Sequence, residues 1–199
     1  MKTAILGNGP SLNLNQQFYQ DYDCVLLTNR LIWEEFAAPN TRLIYVCSDI
    51  RFKKSVEWLQ QIRTKSIDIF LSDDLYEEVI GFVPKENIFS YSSLAASTLL
   101  SRYMRDFPLM QNLRSNVVLD LAIPVAIFIG SMNIKLFGCE FDYDIKIHND
   151  KPSYYSNYNS RNIPFDHDQS SASHWANVSN DKYNRIVTLL HHAGIALSK

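Results

Sequence analysis

The sequence predicts an α/β protein: a Rossmann-like, open, mainly parallel sheet with helices on both faces. Three observations carry this. Short apolar runs bounded by turn residues alternate with stretches of helical period, the pattern left by parallel strands joined by helical crossovers. The first run, residues 3–6, meets a Gly-Asn-Gly-Pro turn at once, as the opening strand of a doubly wound sheet does. A chain of 199 residues, 46% hydrophobic and 20% charged, also has the length and balance for one substantial buried core.

Strands are expected at residues 3–6, 24–28, 43–47, 67–71 and 134–137. Helices fill the gaps. Residues 53–63 place Val56, Leu59 and Ile62 on one face, 73–80 open on acids, and 94–105 follow the cap signal Ser92-Ser93. Ser115 or Asn116 can cap a helix running to about residue 129, and Pro124 inside it predicts a kink or a late restart. From 142 to 180 the texture changes to Tyr, Asn, Ser, Asp and His with few aliphatics, which suits a lid more than a regular element. A last helix, 181–192, offers Tyr183, Ile186, Val187, Leu189 and Leu190 for packing and closes at Gly194 before a short strand, 195–197. The expected organisation is a Rossmann-like domain of residues 1–141 and 180–199, with a Tyr/Asn-rich lid segment at 142–179.

Net charge −2 and the absence of a Lys/Arg run argue against nucleic acid as partner. The apolar stretch 117–129 contains Asp120 and Pro124 and falls short of the roughly 20 residues that cross a bilayer, so it reads as a buried helix. Residues 1–6 are too brief for a signal-peptide core, and the three cysteines, Cys24, Cys47 and Cys139, lack CxxC spacing and sit in apolar segments. Reduced core thiols in a cytoplasmic protein are expected. Peripheral contact with the inner face of a membrane and a homo-oligomer stay open.

Where strand 3–6 ends, Gly7-Asn8-Gly9-Pro10-Ser11-Leu12 follows, and glycines there let backbone N–H groups approach an anion with no Cβ in the way. In open α/β sheets the crevice beyond the carboxyl ends of the strands is the usual ligand site. The turn is neither GxGxxG nor a P-loop, because the third glycine and the Gly-Lys-Ser/Thr ending are missing, so a plain tight turn and a phosphate site are both open. Asn29 and Arg30 follow the second strand, and Ser48 and Asp49 the third, so polar side chains recur at one sheet edge. Each alone also reads as a cap or turn residue. Ser115-Asn116, next to Arg114, opens a helix whose first N–H groups and dipole suit an anion. Gly138-Cys139-Glu140 follows a strand, and its carboxylate can accept from ribose hydroxyls.

The polar segment carries Tyr154, Tyr155, Tyr158 and His174. Phenol hydroxyls suit a phosphate, and an imidazole of pKa near ~6.5 suits a general base. Asp-x-Asp occurs three times, at 21–23, 142–144 and 166–168, which makes it unspecific. His167, Asp168 and His174 lack the helical two-His spacing of a metal site, and no metal ligand is assigned.

In this order the motifs resemble the bacterial sialyltransferases of glycosyltransferase family 42, which take sialic acid from CMP-sialic acid. The likeness rests on Gly7-Asn8-Gly9-Pro10-Ser11-Leu12 at the start, Thr28-Asn29-Arg30 after the second strand and Arg114-Ser115-Asn116 before the apolar helix. Gly138-Cys139-Glu140-Phe141 after a strand, a Tyr-rich lid and a His before the final helix complete it, nearly end to end. The resemblance implies a GT-A variant of the Rossmann-like fold and inverting transfer to a glycan acceptor. A CMP-activated sugar is then the donor substrate, with no metal or other cofactor required. It implies that Asn8 and Asn29 contact the nucleotide, Ser115 and Asn116 the phosphate or cytidine, and Glu140 the ribose. Tyr154, Tyr155 or Tyr158, with Arg114, would serve the departing phosphate, and His174 would deprotonate the acceptor hydroxyl. The chain departs from the family in its shortness, in Ser115-Asn116 where Ser-Gly is usual, and in His174 standing before Trp175. Sialic acid, other nonulosonic acids and Kdo-like sugars therefore all fit as the transferred group.

Two other classes fit the same residues. The Gly-x-Gly-Pro-Ser-Leu opening also resembles the archaeal pterin pyrophosphokinase and its bacterial relatives, an ATP- and Mg²⁺-dependent chemistry for which Glu140, Asp142 and Asp144 would supply acids. A nucleotide- or glycan-binding module without a working base is the third.

Overall fold

The structure, a computed structural model, describes residues 1–9, 11–12, 18–36, 40–83, 86–109, 116–141 and 172–199, the last segment with side chains from 177 onward. Strands β1 (Lys2–Leu6), β2 (Cys24–Thr28), β3 (Arg42–Cys47), β4 (Asp68–Leu71), β5 (Ile88–Ser90), β6 (Asn133–Phe137) and β7 (Ala196–Ser198) form one sheet. Their order is β5-β4-β3-β2-β1-β6-β7, and each neighbouring pair is parallel. Every strand expected from the sequence is present with its ends shifted by at most one residue. Strand β5 lies outside the expected set: it has three residues, of which only Ile88 is buried, too few to leave a period.

Side chains leave a strand on alternate faces, so strands that are apolar at successive positions build two cores. Ile5, Leu26, Ile44, Val46 and Phe70 face one core, shared with Leu100, Leu121, Val125, Ile186 and Leu190. Leu6, Val25, Leu27, Tyr45 and Leu71 face the other, with Trp58, Ile62, Leu75 and Val79. Each fully buried aliphatic contributes about 1.5–3 kcal/mol. Helices therefore cover both faces: α3 (Thr98–Asp106), α4 (Ile123–Phe128) and α5 (Ala172–His192) one, α1 (Val56–Thr64) and α2 (Asp73–Ile80) the other.

The helices correct several boundaries. Ser55 Oγ accepts from Trp58 N at 3.2 Å and so starts α1 afresh after a 3-10 turn, Ile50–Lys54. That register turns Val56 outward, 74% exposed, and buries Trp58 beside Ile62. The cap of α3 is Ser97, whose Oγ accepts from Leu100 N at 3.1 Å, while Ser92 and Ser93 belong to a 3-10 turn. Pro124 does not kink an α-helix: the chain first widens into a π-helical turn, Val118–Ala122, and the proline stands in the first turn of α4, where no N–H is required of it. Helix α5 starts at Ala172 rather than 181, because no Pro or Gly interrupts residues 172–180 and extending a packed helix costs little once it is nucleated. It takes in the position of His174, and residues 142–171 of the expected lid lie outside the described residues.

Cys24, Cys47 and Cys139 are free and buried, as expected. Among the described residues no helix is long and apolar enough to cross a membrane.

Candidate functional site

Parallel strands bring all their carboxyl ends to one edge. Strands β1 to β5 are laid down outward from β1, and the chain then crosses back to place β6 on the other side of β1. The carboxyl ends of β1 and β6 therefore flank the topological switch point, where doubly wound sheets hold their ligands.

Two loops meet there. Gly7 N donates to Phe137 O at 2.7 Å, Gly9 N to Gly138 O at 2.8 Å, and Ser11 N to Glu140 Oε1 at 3.1 Å, while Leu12 N turns back onto Gly9 O at 3.1 Å. Glycine permits this contact. A Cβ on Gly9 would stand 2.6 Å from Gly138 O and 2.9 Å from Glu140 Cδ, and one on Gly7 2.6 Å from Cys139 Sγ. Gly138 itself needs φ +62°. The amides that the sequence suggested for an anion are thus engaged by the neighbouring loop, and the Glu140 carboxylate already accepts from one of them. The reason is topological: β6 lies beside β1, so its loop reaches the turn at the distance a ligand would take.

The turn offers acceptors instead. Asn8, 9% exposed, donates through Nδ2 to Thr28 O at 3.1 Å and to Thr28 Oγ1 at 2.8 Å. A carbonyl only accepts, and the Thr28 hydroxyl already donates to Leu6 O at 2.8 Å, so the amide orientation of Asn8 is fixed. Its Oδ1 is buried and has no donor among the described residues. The next strand repeats the motif. Asn29 takes φ +46°, a left-handed geometry that Asn tolerates, and its carbonyl is braced by Tyr45 OH at 2.7 Å, which in turn accepts from Trp58 Nε1 at 2.8 Å. Asn29 Oδ1 is likewise buried with no donor among the described residues. An unanswered buried acceptor costs about 1–3 kcal/mol, so each of these two oxygens calls for a donor from beyond the described residues.

No family model matches the chain, and no curated protein matches it. Solved structures do. The sialyltransferase CST-II in complex with a trisaccharide acceptor and CMP aligns at TM-score 0.53 and 17% identity, over 99% of this chain and 79% of that one. This chain has a sialyltransferase fold. The monofunctional alpha-2,3-sialyltransferase Cst-I from Campylobacter jejuni gives TM-score 0.58 at 14% identity, over 99% and 74% of the two chains.

Within this sialyltransferase fold the remaining candidates divide. Arg30 and Ser48 are buried at the carboxyl edge, and Asp49 caps the 3-10 turn that follows β3, gripped by Arg51 through Nη2 at 2.6 Å and Nε at 2.9 Å. Cys139 packs against Gly7, and burial pushes its thiol up to about 12. Asn116 caps the π-helical turn: its Oδ1 accepts from Val118 N and Leu119 N, both at 3.1 Å. Pro10, Arg114, Ser115, Tyr154, Tyr155 and Tyr158 lie outside the described residues, as does the side chain of His174, whose backbone belongs to the start of α5.

The sequence singled out Thr28 only as the first residue of the Thr28-Asn29-Arg30 motif and gave no role to Tyr45 and Trp58, which with Thr28 hold the two asparagines, or to Asp120. The Asp120 carboxylate is 2% exposed, accepts from Asn116 N at 2.7 Å through Oδ2 and binds Lys182 Nζ through Oδ1. Burial pushes its pKa up, with Lys182 and Asn116 N pulling the other way. A charge inside an otherwise apolar run was the available signal. Lys199 was also missed: its ammonium lies 4.6 Å from the ring centres of both Phe141 and Tyr183 and donates to Asn180 Oδ1 at 3.2 Å. Phe141 takes φ +57°, a strained geometry for an aromatic residue, directly after Glu140. A surface groove of about 550 Å³ is lined by Ile50, Lys53, Asp74, Glu77, Glu78 and Phe82, none of them in the switch-point cluster. Among the described residues no three His, Cys, Asp or Glu side chains group as metal ligands.

Proposed function

We propose that this chain is a CMP-sugar-dependent glycosyltransferase. It moves sialic acid or a related nonulosonic or Kdo-like sugar to a glycan hydroxyl with inversion; the sialyltransferase of similar fold, CST-II, is in complex with CMP and a trisaccharide acceptor. One observation carries the proposal: Asn8 Oδ1 and Asn29 Oδ1 are buried without donors among the described residues, just beyond the carboxyl ends of adjacent strands, and Glu140 reaches the turn that carries Asn8. Those acceptors suit the hydroxyls of a ribose and the exocyclic amine of cytosine, while the Arg30 guanidinium, buried at the same edge, adds positive charge. These acceptors are therefore assigned to the nucleoside end of the donor.

The phosphate end falls to Arg114, Ser115 and the tyrosines Tyr154, Tyr155 and Tyr158. In the reaction the acceptor oxygen attacks the anomeric carbon while the bond from that carbon to the phosphate oxygen breaks, and the electron pair leaves with CMP. The acceptor's proton goes to His174. Negative charge grows on the phosphate as the bond lengthens, so donors aimed there stabilise the transition state more than the bound donor. Acceptors kept at the nucleoside end bind both states alike and set affinity.

The test is CMP release from CMP-sialic acid and its nonulosonic and Kdo-type relatives, with and without glycan acceptors, by wild type and His174→Ala. Wild type should turn over at least one donor, and the variant should be slower by about 10²–10⁴-fold. Equal release by both proteins removes His174 from the mechanism. Turnover of ATP with Mg²⁺, and of no CMP-sugar, would replace the glycosyltransferase reading with the pyrophosphokinase one.

A further inference from the structure

Asp120 joins the two pieces of chain on which the proposed chemistry depends. Its Oδ2 accepts from Asn116 N at 2.7 Å, and its own N–H donates to Asn116 O at 2.7 Å, so Asn116 is gripped on both sides. Asn116 ends the Arg114-Ser115-Asn116 segment. The other oxygen, Oδ1, binds Lys182, whose side chain is 20% exposed, on the helix that carries His174 about two turns, roughly 12 Å, nearer its start. The surroundings are apolar: Leu119, Leu121, Ala122 and Ile123 are all fully buried, and Tyr103 OH holds Leu119 O at 2.5 Å.

Apolar residues at both positions would hold the helices together at least as well as a desolvated ion pair, which adds little net stability. What the pair supplies is a single register, since a buried charge has one partner and loses several kcal/mol without it. Asp120 lies within a π-helical turn, and such turns recur at functional sites.

We propose that Asp120 and Lys182 are positioning residues for the transfer reaction: one carboxylate holds Asn116, the residue that follows Arg114-Ser115 in the sequence, with one oxygen and the helix of His174 with the other. The proposal rests on the glycosyltransferase reading for what those two segments do.

The test uses the full chain with Lys182→Met, Lys182→Arg and Asp120→Asn. It measures kcat and KM for CMP-sugar turnover, CMP affinity by calorimetry, and hydrogen exchange peptide by peptide. Lys182→Met should lower kcat by about 10²-fold, the scale set by a misplacement near 1 Å. CMP affinity should stay within about twofold, because Asn8, Asn29 and Glu140 are untouched and the bond of Asp120 to Asn116 does not involve Lys182. Lys182→Arg should restore most of kcat, and amides at the start of α5 should exchange faster in Lys182→Met while the sheet is unchanged. Wild-type kcat in folded Lys182→Met overturns the proposal, and so does a loss of kcat and CMP affinity together with faster exchange throughout the sheet. Should Lys182→Met fail to fold, Asp120→Asn, which keeps an acceptor for Asn116 N, is judged by the same readouts. If wild type neither binds CMP nor turns over any CMP-sugar, the glycosyltransferase reading fails. The tie then stands or falls on whether exchange at the start of α5 changes in the variants.

Discussion

Alanine at Gly9 should damage both the fold and the proposed nucleotide site. The added Cβ would lie 2.6 Å from Gly138 O and 2.9 Å from Glu140 Cδ, closer than such atoms approach in folded proteins. Gly138 O is backbone and holds Gly9 N at 2.8 Å, so it cannot yield without losing that bond. Glu140 must swing away and release Ser11 N. Overpacking of this kind costs about 1–3 kcal/mol, and a hydrogen bond to a charged group is worth about 1.5–3 kcal/mol, part of which water returns once the carboxylate is exposed. A net loss of about 2–4 kcal/mol follows, or about 5–15 °C in Tm at this chain length. CMP affinity, measured by calorimetry below the lowered Tm, should fall by about tenfold or more as Glu140 leaves the turn. Gly81→Ala is the control, since nothing lies within 4 Å of its Cβ and its φ is −72°. It should be neutral or slightly stabilising. A Gly9→Ala protein with wild-type Tm and CMP affinity would refute the contact between the two loops.

Tyr45→Phe strands the buried Trp58 Nε1 and unbraces Asn29 O, so denaturant titration should show a loss of about 1–3 kcal/mol, and calorimetry a weaker CMP complex; no change in either would contradict the brace. Burial raises the Asp120 carboxyl above its ordinary range, with Lys182 and Asn116 N opposing. Its neutral form is thus favoured in the fold, and the associated stability, full below pH ~4, is lost as pH rises through the folded pKa. The deficit of Asp120→Asn against wild type should therefore narrow from acid toward neutral pH in urea titrations, and a widening deficit would contradict the assignment. Burial pushes the thiols of Cys24, Cys47 and Cys139 up to about 12, so a disulfide reagent at mild alkaline pH should label none in the native protein and all of them in guanidinium. Rapid labelling of the folded chain would show that the strands open.

The strands were legible because a parallel sheet covered on both faces requires apolar residues at successive positions, and residues 3–6, 24–28 and 43–47 supply them. Strand β5 was too short to leave a period, and the early start of α5 was masked by Asn and Ser, which lower helix propensity without stopping a helix that tertiary packing holds. The site divides along the same line. Gly7, Asn8 and Asn29 could be found because they follow strands directly. The contact of Ser11 with Glu140 joins residues 129 positions apart, and only the sheet order, with β6 beside β1, brings them together. Sequence alone left a plain tight turn and an anion-binding turn both open, and it could not show that Gly7 N, Gly9 N and Ser11 N bond to the neighbouring loop. Asp120 was visible as a charge in an apolar run, but its partner Lys182 sits among the ordinary charges of a final helix.

The most direct test of an acceptor-lined nucleoside cradle is a calorimetric titration of CMP into wild type and Asn8→Ala. Wild type should bind CMP, and the variant, which loses the buried amide oxygen together with the amide's two bonds to Thr28, should bind at least about tenfold more weakly. Equal affinity in the two proteins would contradict the assignment of that oxygen to the nucleotide.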